Sequence, residues 1–166
     1  MKAPLNWLRE YVDIDMDAEV YAGRMVMTGT GVEGVEDVAE FENVVVGRVL
    51  SCEAHENSDH LHVCMVDVGG EEALQIVCGA PNVAKGQLVP VALEGAKLPG
   101  GHVIRRGKLR GVQSRGMICS GPELNVPEAL YPHVGDAGIL VFREEHAPGT
   151  DARVALGLDG QVVDFE

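Results

Sequence analysis

The residues best placed to do chemistry in this 166-residue chain are cations gathered in one stretch. Arg105, Arg106, Lys108 and Arg110 crowd a segment punctuated by Gly107 and Gly111, with Lys97 before it and Ser114 and Arg115 after it. From Gly95 to Pro122 there is no Asp or Glu at all. Guanidinium and ammonium groups at that density neutralise phosphates, a hydroxyl adds a donor, and glycines let backbone approach a phosphate chain. Lys97, Arg105, Arg106, Lys108, Arg110, Ser114 and Arg115 are therefore the candidate RNA-binding residues. The window holds no aromatic side chain, so stacking on bases is not its mode. Recognition of a phosphate backbone or a folded RNA shape is. The competing reading is a solvated basic turn.

Net charge is −13, which taken alone argues against a polyanionic partner. The acid lies outside the window, so the field is polarised rather than uniformly repulsive. Other motifs carry less. Gly29-Thr30-Gly31-Val32-Glu33-Gly34 spells GxGxxG, but a helical pattern precedes it and an extended acidic segment follows. A dinucleotide site needs a strand before and a helix after, so this is a turn. His55-Glu56-Asn57-Ser58-Asp59-His60 is one residue longer than HExxH, and histidines five apart do not share a helical face. His60, His62 and Cys64 alternate and could share a strand face, but no fourth zinc ligand accompanies them. No nucleophile–base or paired-carboxylate spacing supports catalysis. Neither a catalytic nor a metal-binding residue is assigned, and no cofactor is expected in this stretch.

The elements that must position the basic window follow from periodicity. Residues 1 to 40 read as helical: Pro4 suits a first turn, Leu5, Leu8, Tyr11 and Val12 are helically spaced with Trp7, and Asp15 or Asp17 caps a second helix ending at Gly29. After Phe41 the pattern changes to β-branched runs. Strands are expected at Val44–Leu50, His62–Val68, Leu74–Cys78 and Leu88–Leu93, then short ones within 102–112 and a last one at Gly138–Phe142. Gly69-Gly70 marks a hairpin. Many short strands with 21 glycines and 8 prolines fit a small Greek-key barrel. Cys52, Cys64, Cys78 and Cys119 sit in apolar runs without a CxxC and read as buried free thiols in a reducing cytoplasm. No signal peptide and no membrane-length apolar run is visible, so a cytoplasmic, membrane-free location is expected. Val162-Val163-Asp164-Phe165-Glu166 looks like an unfinished strand in a cut chain.

These same segments resemble a known family. His55-Glu56-Asn57-Ser58-Asp59-His60-Leu61, followed by Val66-Asp67-Val68-Gly69, resembles the HPNADKL…VDVG opening of the tRNA-binding OB domain. Ile76-Val77-Cys78-Gly79-Ala80-Pro81-Asn82-Val83 is similar to the IVCGAPNV of its phenylalanyl branch. Lys108-Leu109-Arg110-Gly111-Val112, with Ser114, Gly116, Met117, Cys119 and Ser120, is similar to KLRGVxSxGMxCS. Trp7-Leu8-Arg9-Glu10-Tyr11-Val12 and Leu156-Gly157-Leu158-Asp159 resemble the flanks of the domain in bacterial phenylalanyl-tRNA synthetase β subunits. The family's pattern departs at Glu56, where Pro is usual, at His60, where Lys is frequent, and at Arg115, where an acid is common. The loop at 55–61 is thus less basic than usual and the other patch more so.

The resemblance implies an α+β fold: an OB-type Greek-key β-barrel at 41–150, inserted in a small helix-rich, winged-helix-like domain. That domain is built from residues 1–40 and a returning half that starts at 151–166. It also implies tRNA as partner, and an α subunit in an α2β2 ligase that uses ATP and Mg²⁺ to attach phenylalanine to tRNA. Catalysis then belongs to the α subunit and editing to later parts of β, so this stretch is a non-catalytic tRNA-binding region. Two other readings stay open: an architectural domain for subunit assembly with little RNA contact, and a stand-alone tRNA-binding protein.

Overall fold

The computed structural model describes residues 1–132 and 138–166. Among these the chain is mostly sheet, and it divides into two compact units: 1–39 with 157–166, and 40–156.

The first unit is a three-stranded antiparallel sheet with two short helices. Its strands are β1 (Lys2–Pro4), β2 (Val32–Asp37) and β11 (Gln161–Phe165), with β11 in the middle. Val163 and Phe165 point into a core shared with Ala3, Leu5, Ile14, Ala18 and Ala22. Helix α2 (Ala18–Met27) is capped by Asp17, whose carboxylate accepts the Val20 amide at 2.8 Å. Gly29, at φ +92, takes the left-handed conformation that ends the helix.

The helical reading of residues 1 to 40 needs correction. Helix α1 covers only Leu5–Leu8, and Pro4 is the last residue of β1 in extended backbone. Of the helically spaced set only Leu5 is buried; Trp7, Tyr11 and Val12 stay exposed. The last turn of the pattern therefore lacks a face to bury, and packing rather than spacing sustains a helix. Val32 and Val35 instead pack as β2 beside the central strand. Strand β11 is paired on both edges, with β1 on one side and β2 on the other.

The second unit is built on β3 (Glu42–Ala54), β4 (His62–Asp67), β5 (Leu74–Cys78), β6 (Leu88–Leu98) and β10 (Gly116–Ile118), in the order β10-β6-β3-β4-β5. All neighbours are antiparallel. Val49, Cys64, Val66, Ile76, Val89, Val91 and Ile118 supply its apolar centre. Alternation is clear in β4, where Cys64 and Val66 turn inward. In β6, Leu88 to Ala92 are buried on both faces. Short strands β7 (His102–Val103), β8 (Gly107–Leu109) and β9 (Val112–Ser114) follow, then a 3₁₀ turn at Pro122–Leu124 and helix α3 (Ala152–Leu156).

The two edges of this sheet meet. The Arg115 amide donates to the Gln75 carbonyl at 2.9 Å, the Gln75 side-chain amide to the Gln113 carbonyl at 2.8 Å, and the Val77 amide to the Ser114 hydroxyl at 3.1 Å. Closure removes the open edges of β5 and β10 that would otherwise carry unpaired amides.

The last strand expected at Gly138–Phe142 does not form. The Asn82 side chain accepts from the Ile139 amide and donates to its carbonyl, at 2.9 and 3.0 Å. The Leu140 amide bonds the Cys119 carbonyl, and the Phe142 amide bonds the Leu88 carbonyl. Backbone groups taken by one side chain and two different segments cannot make a ladder with one partner. The segment is apolar because it is buried, not because it is a strand. No helix among the described residues is long and apolar enough to cross a membrane.

Candidate nucleic-acid interface

The centre of the basic window is a hairpin of its own. Strands β8 and β9 pair Gly107 with Ser114, Lys108 with Gln113 and Leu109 with Val112, and belong to no larger sheet. A two-residue turn joins them, with Arg110 at φ +48 and Gly111 at φ +86. Positive φ at both positions is the type I′ geometry that matches strand twist. Glycine adopts it freely; arginine pays a penalty of about 1 kcal/mol. The Arg110 guanidinium is held there by donating to the Asn57 carbonyl at 3.1 Å.

Besides Arg110, the structure sorts the predicted residues into three groups. Lys97, Arg105 and Lys108 are exposed and Arg115 is half-buried, and none of these four has an ion pair among the described residues. Arg105 and Lys108 border a groove of about 300 Å³ lined also by Ile104, Leu109 and Met117, with His102 at its margin. A second depression of about 290 Å³ lies beyond Leu109 and Met117, reaching Ser120 and Glu123. Unpaired cations beside an apolar floor can hold a phosphate chain while bases or ribose lie against carbon.

Arg106 stands apart, because its guanidinium meets the Glu94 carboxylate at 3.1 Å. Glu94 lies one residue outside the acid-free window, and β6 carries it back to the hairpin's foot. Absence of acid along the sequence did not guarantee its absence in space.

Ser114 has a different job from the one expected of it. Only 6% exposed, it accepts the Val77 amide and donates to the Gly116 carbonyl at 3.0 Å. Its hydroxyl is used up in closing the sheet and has no reach to an external phosphate. Gly116, beside it, is needed for proximity: a Cβ there would sit 2.9 Å from the Ala92 carbonyl oxygen.

His55, which the sequence places only in a near-HExxH string and the family motif, is 3% exposed and bonded at both ring nitrogens. Nδ1 accepts the Asn57 amide at 3.0 Å, and Nε2 lies 3.2 Å from the Leu109 carbonyl. A histidine in a near-HExxH string gives no signal of this, since its partner is 54 residues away. His60 is exposed, His62 half-buried and Cys64 fully buried. No group of three such donors is placed to hold a metal among the described residues.

The four cysteines are free, three of them buried and Cys52 half-buried. Burial pushes the Cys64 and Cys78 thiols up, and that of Cys119 up to about 12. These are inert packing groups, not nucleophiles.

A family model described as a putative tRNA-binding domain matches residues 44–151, which include the whole hairpin and both grooves. The chain belongs to that family. The resemblance drawn from the motifs is borne out. The chain is also 47% identical, over its full length, to the phenylalanine–tRNA ligase beta subunit of Latilactobacillus sakei subsp. sakei (strain 23K), of which it covers 21%. It is 50% identical over 97% of its length to the same subunit of Staphylococcus saprophyticus, covering 20% of that protein. The chain thus spans about a fifth of the length of the curated relatives it matches. Among solved structures, a MetRS-related protein from Pyrococcus horikoshii is similar at 21% identity over 64% of this chain and 85% of that one, with a TM-score of 0.46.

Proposed function

We propose that the chain is the non-catalytic, tRNA-binding N-terminal region of a phenylalanine–tRNA ligase β subunit, and that its RNA contact is the face of the β8–β9 hairpin. The observation carrying this is that Arg105 and Lys108 stand exposed, without carboxylate partners among the described residues, within the stretch matched to the tRNA-binding family. Arg110 at the hairpin tip, Lys97 and Arg115 extend the patch. Strand order β10-β6-β3-β4-β5 with bridged edges supports an OB-type Greek-key barrel for the second unit. Helix α2 on a three-stranded antiparallel sheet supports a winged-helix-like first unit. In this reading the whole enzyme is a cytoplasmic α2β2 heterotetramer. Its α subunit joins phenylalanine to tRNA with ATP and Mg²⁺, while these residues hold RNA and take no part in that chemistry.

A second reading has a specific observation behind it. The chain's net charge is −13 and Glu94 already neutralises Arg106, both of which favour an architectural domain with little RNA contact. A gel shift against tRNA at low salt separates the two: a retarded complex supports the tRNA-binding reading, and its absence favours the scaffold.

A further inference from the structure

The loop at 55–61 has no role in the RNA contact just described, and its chemistry is wrong for one. It holds Glu56 and Asp59 but no Lys or Arg. It is, however, tightly built. The His55 amide donates to the Leu61 carbonyl at 2.9 Å, and the Ser58 hydroxyl accepts the amides of His60 and Leu61 at 3.4 and 3.3 Å. The β8–β9 hairpin is the opposite. Its strand β8 is exposed throughout, and only Ser114, at its end, is buried. A two-stranded hairpin is marginal by itself, so its direction is set by what ties it to the rest of the unit.

Two ties run from the loop to that hairpin, at His55 Nε2···Leu109 carbonyl and at Arg110 guanidinium→Asn57 carbonyl. The first is polarised by the ring's other side. Since Nδ1 accepts the Asn57 amide, the proton sits on Nε2 and is donated to Leu109. His55 and Ser114 are the buried polar side chains of the described residues, and both fasten this hairpin, one near its tip and one at its end. A core histidine serving only as filler would not bond two segments in two directions.

We propose that His55 is a positioning residue for RNA binding: its Nε2–H, aimed by the Asn57 amide, holds the Leu109 carbonyl and so fixes the angle at which Lys108 and Arg110 meet an RNA phosphate backbone. The inference rests on the RNA-binding reading and adds that the acidic loop acts through the hairpin rather than on the ligand. Pre-organisation of the cations removes an ordering cost from binding.

The test uses three variants of the whole chain. His55→Gln keeps a donor at the distance of Nε2, His55→Asn keeps an acceptor near Nδ1 but is too short to reach the Leu109 carbonyl, and His55→Ala keeps neither. Amide hydrogen exchange of residues 107–114 is read in the free protein, tRNA binding at low salt beside it, with the thermal midpoint as a check on folding. His55→Asn and His55→Ala are expected to speed exchange in the hairpin and to weaken tRNA binding about fivefold, the size of one hydrogen bond's net contribution. His55→Gln should restore both. Folded Asn and Ala variants that exchange and bind as the unaltered chain does would overturn the proposal, as would a folded Gln variant no better than Ala. If the unaltered chain itself binds no tRNA, the RNA-binding reading fails, and exchange in the hairpin still decides whether His55 positions it.

Discussion

The hydroxyl of Ser114 accepts the amide proton of Val77 at 3.1 Å and donates its own proton to the Gly116 carbonyl at 3.0 Å. One side chain thus joins β5 to the segment entering β10, where the curled sheet closes. Removing it leaves a buried amide without a partner, because Val77 is itself buried. Ser114→Ala should destabilise the chain by about 1–3 kcal/mol, the cost of an unsatisfied buried donor. Urea unfolding measures it. A change below about 0.5 kcal/mol, the range of ordinary surface substitutions, would mean that the closure is held elsewhere.

Glu94 and Arg106 make a second, testable pair. Both side chains are about half exposed, so the ion pair contributes little to stability. Its effect on the field is larger, since it removes one cation from the patch. Glu94→Gln should leave the unfolding midpoint nearly unchanged and tighten tRNA binding at low salt, with a steeper salt dependence by up to about 0.7–0.9 in slope. Unchanged affinity would place Arg106 outside the contact.

The buried thiols set an alkaline limit. In the unfolded chain a cysteine loses its proton near its ordinary value of 9.0, whereas burial holds that of Cys119 up to about 12. Above pH 9 the unfolded state therefore binds fewer protons than the folded one, and stability falls as pH rises. The contribution is fully present below about pH 9 and is lost progressively toward pH 12, with a slope of up to about 1.4 kcal/mol per pH unit for a single thiol. Urea unfolding between pH 8 and 11 should show the decline, and Cys119→Ala should make it shallower. Equal slopes in the two proteins would contradict this assignment.

Much of the second unit was legible because its rules are local. Alternation in His62–Asp67, the turn at Gly69-Gly70 and the run at Leu74–Cys78 follow from pleat geometry and glycine conformation. A cap at Asp15 or Asp17 was legible for the same reason, and Asp17 is the one that takes it. What escaped depends on distant partners. Tyr11 and Val12 matched a helical period yet stay outside the core, and Gly138–Phe142 looked like a strand until Asn82 took its backbone groups. In the candidate interface, a cluster of cations is visible in one dimension, but Glu94, Ser114 and His55 owe their roles to contacts across the closed sheet.

The measurement bearing most directly on the central claim is the affinity of the chain for tRNA as a function of salt, compared with a variant carrying Arg105→Glu, Arg106→Glu, Lys108→Glu and Arg110→Glu together. With three to five phosphate contacts, log K should fall with log salt at a slope of about −2 to −4.5, and the variant should lose binding. Affinity indifferent to salt, or preserved in the variant, would contradict an RNA contact at this hairpin.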